Sequence, residues 1–291
     1  METIHTSVNP SFQKIIPAAI FTGCGSLIII VFSPYRPLLS DTPDLLGRLI
    51  LLTALLSAAL HFRKHPHLNG LGQIWIGLFI LALATSLDWW SARFVLDVLG
   101  GYPDTPAGIA LEKMKSVLLA AGTIFLLTRA FGGSLGSIYV QCGRLKQSLL
   151  IGLTAFGIAA VGAVPMSTLL FAGRQISLTQ ALGWAPWILL AVLANAAYEE
   201  LLFRALFLRK LDPWFGKLVS NGLIALVFTG LHLGVTYPKE QLLFLFILIP
   251  LALGWGYLMQ KTDSIWGSIL FHAGTDIPVF LAIFSIRFTN G

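Results

Sequence analysis

Residues 181–204 read ALGWAPWILLAVLANAAYEELLFR. An apolar run from Ala181 to Ala197 leads into Glu199, Glu200 and Arg204. Charge at membrane depth is expensive, about 2.5–3.5 kcal/mol for an Asp, Lys or Arg at a helix centre on insertion scales. A chain that keeps three charged groups beside such a run is expected to use them. The run itself calls for a membrane-spanning helix, and the rest of the chain repeats the pattern.

Of 291 residues, 56% are hydrophobic and only 11% are charged, with a mean hydropathy of +0.81. Ordinary soluble domains carry about 25% charged residues. This chain has too few polar groups to cover a soluble surface and is expected to be integral to a lipid bilayer. The same composition excludes intrinsic disorder. The net charge of +6 suits loops that meet anionic headgroups. The cations are scattered between apolar spans and form no stripe, which excludes nucleic acid as a partner. Cys24 lies in the first apolar run and Cys142 in a basic loop, so no disulfide framework or cysteine metal site is expected. The apolar run continues from Cys24 to Phe32, so this first span is expected to stay uncleaved.

A span needs about 20 mostly apolar residues. Nine segments qualify, at 15–33, 45–61, 71–90, 112–131, 147–171, 184–208, 217–234, 240–260 and 265–287. The second is short and the seventh is polar, so the expected count is eight or nine. Backbone groups in lipid must pair within the segment, so these are helices. The fold class is an all-α, polytopic transmembrane bundle with a polar cavity formed by the C-terminal helices. Breaks are read after the first span at Pro34-Tyr35-Arg36-Pro37 and Asp41-Thr42-Pro43-Asp44, and after the second at Arg63-Lys64-His65-Pro66-His67. A short interfacial helix is expected near Trp89–Leu99, and Pro186 is read at the start of span six. Ser264 is the expected N-cap of the last span. Loop cations favour an inside N-terminus, ten against eight. The ten are Lys14, Arg63, Lys64, Arg129, Arg144, Lys146, Arg209, Lys210, Lys217 and Lys261.

Helix geometry sorts the charged residues. Glu200 and Arg204 are four apart and share a face, as an ion pair requires. Glu199 is rotated about 100° away and is the carboxylate left over, with Asn195 one turn before it. In the seventh span Phe228 and His232 are one turn apart, so the ring is placed to pack against the imidazole. Gly230 and Gly234 are expected to admit another helix closely. In the last span His272 and Asp276 share a face, and Asp276 is placed to accept from His272 and set its tautomer. Each motif alone is explained by packing. Three together, on separate helices of the C-terminal third, supply what activates a water and protonates a leaving amine.

The ordered pattern Glu-Glu-x-x-x-Arg, Phe-x-x-x-His and His-x-x-x-Asp resembles the CAAX prenyl endoprotease and bacteriocin-immunity family of intramembrane proteases. The resemblance covers about Leu182 to Phe284. It divides the chain into N-terminal helices without a motif, 1–146, and a protease-like core, 147–291. It implies a helical bundle with a wet cavity at membrane depth and an endopeptidase using a glutamate-activated water. Carried over by position, Glu199 is the catalytic glutamate and His232 shares its water. His272 and Asp276 line the oxyanion side. Glu200, Arg204, Phe228 and Asn195 support them. Where relatives often carry Asn, Asp276 donates to an oxyanion only if protonated, and otherwise orients His272. No cofactor is favoured. The alternative is a zinc-dependent CAAX-type metalloprotease with Glu199, His232 and His272 as ligands. A further alternative is a non-catalytic immunity or scaffold protein that binds peptides. The implied partner is a peptide or protein substrate at the membrane, and the implied setting is a prokaryotic plasma membrane.

Overall fold

A computed structural model describes residues 10–33, 38–65 and 68–289, with side chains from residue 14. Of the expected breaks, Pro34–Pro37 and Pro66-His67 lie outside the described residues, Arg63 ends a helix as read, and Asp41–Asp44 is no break but the first turn of that helix. Among those residues there are nine α-helices: α1 (Pro10–Ser26), α2 (Asp41–Arg63), α3 (Asn69–Leu99), α4 (Pro106–Ala130), α5 (Leu145–Leu169), α6 (Leu178–Glu200), α7 (Leu206–Leu231), α8 (Gln241–Thr262) and α9 (Trp266–Phe288). Each expected span falls on one of them. Seven helical segments are long and apolar enough to cross a membrane, by length and composition. The difference from nine has two causes. α4 carries Glu112, Lys113 and Lys115 in its first half and drops out. α6 and α7 form one helical run, 178–231, interrupted at Gly216, whose φ of 75° and ψ of 165° leave the helical range.

Three local readings are corrected. Trp89–Leu99 is no separate interfacial helix. α3 runs unbroken through it and stops at Gly100, whose φ of 75° suits glycine. Pro186 lies two turns inside α6, because the helix begins earlier, at a capping box. There the Gln180 amide donates to Ser177 Oγ at 3.2 Å and the Ser177 amide to Gln180 Oε1 at 2.9 Å. Ser264 does not cap α9, since its buried Oγ has no hydrogen-bond partner. The cap comes from α5 instead: the Gly267 amide donates to Ser148 Oγ at 2.9 Å.

That cap belongs to the tightest helix pair in the bundle. α9 packs chiefly on α5, and the two run parallel with their backbones almost touching. A Cβ on Gly152 would lie 2.6 Å from the Gly267 carbonyl, and one on Gly274 would lie 2.6 Å from Phe156 Cα. Without a hydrophobic drive in lipid, helices associate where small residues let backbones approach. Gly230, by contrast, has nothing within 4 Å of a would-be Cβ and faces open space, so the close approach expected of it does not occur. Gly274 lies between His272 and Asp276. Gly274→Val is therefore expected to destabilise the protein by about 1–3 kcal/mol through overpacking and to lower the thermal unfolding midpoint. Gly230→Ala should leave that midpoint unchanged in the same assay.

α9 also packs antiparallel to α6. The register is set by cross-helix contacts: Asn195 meets Asp276, Glu199 meets His272, and Glu200 meets Ser268. This pairing carries the polar residues of both helices to one level of the bundle. α1 packs on α7, and α4 on α6, so the N-terminal helices close the other side.

Candidate active site

The polar residues of α6, α7 and α9 meet around one cavity of about 960 Å³. Glu199, His232, His272 and Asp276 all line it, with Asn195, Phe228 and Trp255. The wall is wider than expected, because Ile29 of the turn after α1 and Ile109, Glu112 and Lys113 of α4 join it. The lining runs from Glu199 and His272 in the bundle interior to Leu38, Phe171, Tyr237, Glu240 and Arg287 at one end. There the 170–172 and 237–239 segments pair by backbone. The Ala172 amide donates to the Tyr237 carbonyl at 2.8 Å and the Lys239 amide to the Leu170 carbonyl at 3.1 Å. Ile158 of α5 also lines the cavity while 72% exposed, so the cavity reaches the outer surface of the bundle.

Glu200 and Arg204 form the expected ion pair, 3.0 Å apart and with no side-chain exposure at either residue. Glu200 precedes, and Arg204 lies within, a five-residue π-helical turn, Leu201–Ala205, between α6 and α7. Such widened turns are rare and recur at functional sites. The Arg204 guanidinium also lies over the Phe228 ring at 4.1 Å and the Trp255 ring at 5.1 Å. These faces stabilise a cation whose Nε and Nη2 have no hydrogen-bond partner.

His272 is oriented by Glu200, which corrects the role expected of Asp276. Its Nδ1 lies 2.9 Å from Glu200 Oε1, whereas Nε2 is 3.7 Å from Asp276 Oδ1, beyond hydrogen-bond range. The Nδ1–H thus donates to Glu200. That leaves Nε2 toward the cavity, 3.4 Å from Glu199 Oε2. Trp255 stacks on the imidazole at 3.7 Å between ring centroids, with an interplanar angle of 7°. Ser268 Oγ donates to the other Glu200 oxygen at 2.6 Å. Glu200 therefore locks α9 to α6 as well as balancing Arg204.

Glu199 is left with a different set of neighbours. Asn195 Nδ2 lies 3.3 Å from Glu199 Oε1, as its position one turn earlier predicts, and donates to Asp276 Oδ2 at 3.0 Å. One amide thus bridges two carboxylates. On α7, Phe228 packs against His232 with ring centroids 4.7 Å apart, and the His232 Nδ1–H donates to the Phe228 carbonyl at 3.0 Å. Its Nε2 is then the nitrogen free to accept.

Residues 181–278 match the family model described as type II CAAX prenyl endopeptidase Rce1-like. Over this segment the chain is similar to the CAAX proteases. No curated protein and no solved structure matches it. The matched segment spans about a third of the chain and contains all three motifs. It leaves the N-terminal helices, which help to wall the cavity, outside the match. Among the described residues no three His, Cys, Asp or Glu side chains are grouped to hold a metal ion, Glu199, His232 and His272 included.

Several residues around the CAAX protease motifs are not legible as motif positions. Ser268 stands four before His272, so the face shared with His272 and Asp276 signals it. Trp255 of α8 carries no local signal. Asp88 of α3 takes 2.7 Å bonds from Lys115 and Ser116 and a 3.3 Å bond from the hydroxyl of Tyr198, the residue before Glu199. A carboxylate in an apolar run is the clue there.

Proposed function

We propose that this chain is an intramembrane endopeptidase that hydrolyses a peptide bond of a membrane-associated protein or peptide. The observation that carries the reading is the meeting of Glu199, His232 and His272 in one cavity, with Glu199 3.4 Å from the His272 Nε2. A cavity of about 960 Å³ is of ligand-binding size. Its reach to the outer surface at Ile158 gives a substrate held in the bilayer a way to the polar residues.

In the proposed reaction a water lies between Glu199 and the Nε2 of His232. Glu199 takes one proton from it, and the resulting hydroxide oxygen bonds to the carbonyl carbon of the scissile peptide. The carbonyl becomes an oxyanion, which His272, carrying a proton on each ring nitrogen, stabilises by donating from Nε2 while Nδ1–H stays on Glu200. Glu199 then passes its proton to the amide nitrogen. The C–N bond breaks, releasing an amine and a carboxylic acid, whose remaining proton passes to the freed Glu199 carboxylate to leave the carboxylate product. Asn195 holds Glu199 and Asp276 in place. Glu200, fixed by Arg204 and Ser268, keeps the His272 Nδ1–H engaged so that Nε2 faces the substrate. General acid–base steps of this kind contribute about 10²–10⁴-fold each.

The family description makes a prenylated peptide with a C-terminal CAAX sequence the first substrate to test. Purified protein in nanodiscs is expected to cleave such a peptide, or a membrane-anchored peptide, at one bond identifiable by product mass. Turnover that Glu199→Gln leaves at the wild-type rate would remove the assignment. The proposed water activation uses side chains alone. Dialysis against EDTA or phenanthroline is therefore expected to leave the cleavage rate unchanged. A loss restored by added zinc would favour the metalloprotease alternative.

A further inference from the structure

The end of the bundle opposite the loops 170–177 and 232–240 is strongly basic. All ten cations expected on the inner side fall there, against Asp212 and Asp263 among the described acids. At the other end Arg48, Arg93, Lys115 and Arg287 are paired with Asp44, Asp41, Asp88 and Asp104. Excess Lys and Arg mark the cytoplasmic side of a membrane protein, where anionic lipids lie. Within the basic end is a second cavity of about 380 Å³, lined by Gln73 of α3, Ser137, and Arg209, Lys210 and Trp214 of α7. Gly70 makes room for it to close: a Cβ there would lie 2.8 Å from the Trp214 ring.

The two cations in this cavity differ. Arg209 is paired with Asp263 and lies over the Tyr139 ring at 4.3 Å, yet its buried Nε has no hydrogen-bond partner. Lys210 donates to the Leu206 carbonyl at 2.6 Å and has no carboxylate in ion-pair range among the described residues. It is an ammonium with two further N–H groups and no counter-charge. Around it stand a neutral donor amide in Gln73 and the Trp214 indole, of the kind found at headgroup level, while the Ser137 hydroxyl on the same wall donates to the Ser134 carbonyl at 2.6 Å. An ammonium and two neutral donors, beside the positive charge of Arg209, suit a phosphate diester. We propose that this cavity binds the phosphate of an anionic phospholipid headgroup, with Lys210 as its main counter-charge. A lipid is favoured over a free anion because the cavity lies at the membrane end of α3 and α7, beside Trp214.

The test uses full-length protein, delipidated in neutral detergent and titrated with phosphatidylglycerol or phosphatidylcholine, with bound lipid counted by native mass spectrometry. Wild type is expected to hold one phosphatidylglycerol more tightly than phosphatidylcholine. Lys210→Gln is expected to weaken that adduct by roughly fivefold or more, the scale of one Lys or Arg near an anionic surface. Lys210→Arg should retain it. Lys217→Gln, on the same end but outside the cavity, should leave it intact. Ser137→Phe fills the cavity without altering charge and should abolish the adduct, which separates binding from any folding defect of Lys210→Gln. Equal binding of the two lipids, or an unchanged adduct in both Lys210→Gln and Ser137→Phe, would overturn the proposal. Full displacement by equimolar inorganic phosphate would do so too, by making the ligand a free anion.

Discussion

Glu199→Gln is expected to lower peptide cleavage by at least about 10²-fold, the lower bound for a lost general base. The amide keeps the volume of the carboxylate and its place beside Asn195. It cannot take a proton from water. Glu199 makes no ion pair with Arg204, which is committed to Glu200, so the substitution strands no buried guanidinium. The thermal unfolding midpoint should therefore change little. That separation of activity from stability is the decisive measurement: a variant that loses both is reporting on folding, while one that loses only turnover is reporting on chemistry.

His232 supplies an internal comparison for the same experiment. Its Nδ1 is held by the Phe228 carbonyl and its ring lies beside Phe228, so the ring is fixed without help from Glu199. If the two share one water, Glu199→Gln and His232→Gln should each cost a large factor, and the double variant should cost little more than either. Groups that act as a unit are strongly non-additive. Additive losses would mean that they act on different steps, and the shared-water mechanism would have to be abandoned.

The sequence reads well wherever a contact lies within one helix. Asn195 with Glu199, Glu200 with Arg204, and Phe228 with His232 are each four apart, and each is a neighbour in the structure. The 3.6-residue turn fixes those neighbours whatever the rest of the bundle does. His272 with Asp276 has the same spacing, yet the imidazole turns to Glu200 on α6. The choice between two carboxylates depends on the rotation and register of α6 against α9, which their own cross-helix polar contacts set. No periodicity within a single segment encodes that. Trp255 reaches the site from α8 for the same reason. The π-helical turn at Leu201–Ala205 is likewise hidden, since one extra residue per turn over five residues does not disturb an apolar pattern already interrupted by charge. The helices themselves were legible because lipid permits few alternatives to a helix of spanning length. α3 overran its reading by nine residues, since Asp88 is neutralised inside the bundle by Lys115 and the helix continues past it.

Glu200→Ala is expected to be the most destabilising single change in the chain, by about 3–5 kcal/mol, the usual loss on breaking a buried pair. Arg204 would keep its charge with no exposed side-chain surface and no carboxylate at 3.0 Å. The Phe228 and Trp255 faces contribute only about 0.5–2 kcal/mol each to a cation and cannot replace an anion. The loss would spread, because Glu200 also receives Ser268 and the His272 Nδ1–H. α9 would lose two of its polar ties to α6 at once. Adding Arg204→Met should recover part of the stability, since exchanging a whole buried pair for apolar groups is often neutral. It should not recover cleavage, because His272 would still lack the carboxylate that directs Nε2 into the cavity. Unfolding midpoints for the single and double variants in one detergent, followed by cleavage rates for the double variant, test both halves. A double variant no more stable than Glu200→Ala would show that Glu200 matters through His272 and Ser268, with little owed to Arg204. A double variant that cleaves normally would show that His272 needs no carboxylate at Nδ1, and the positioning role of Glu200 would be lost.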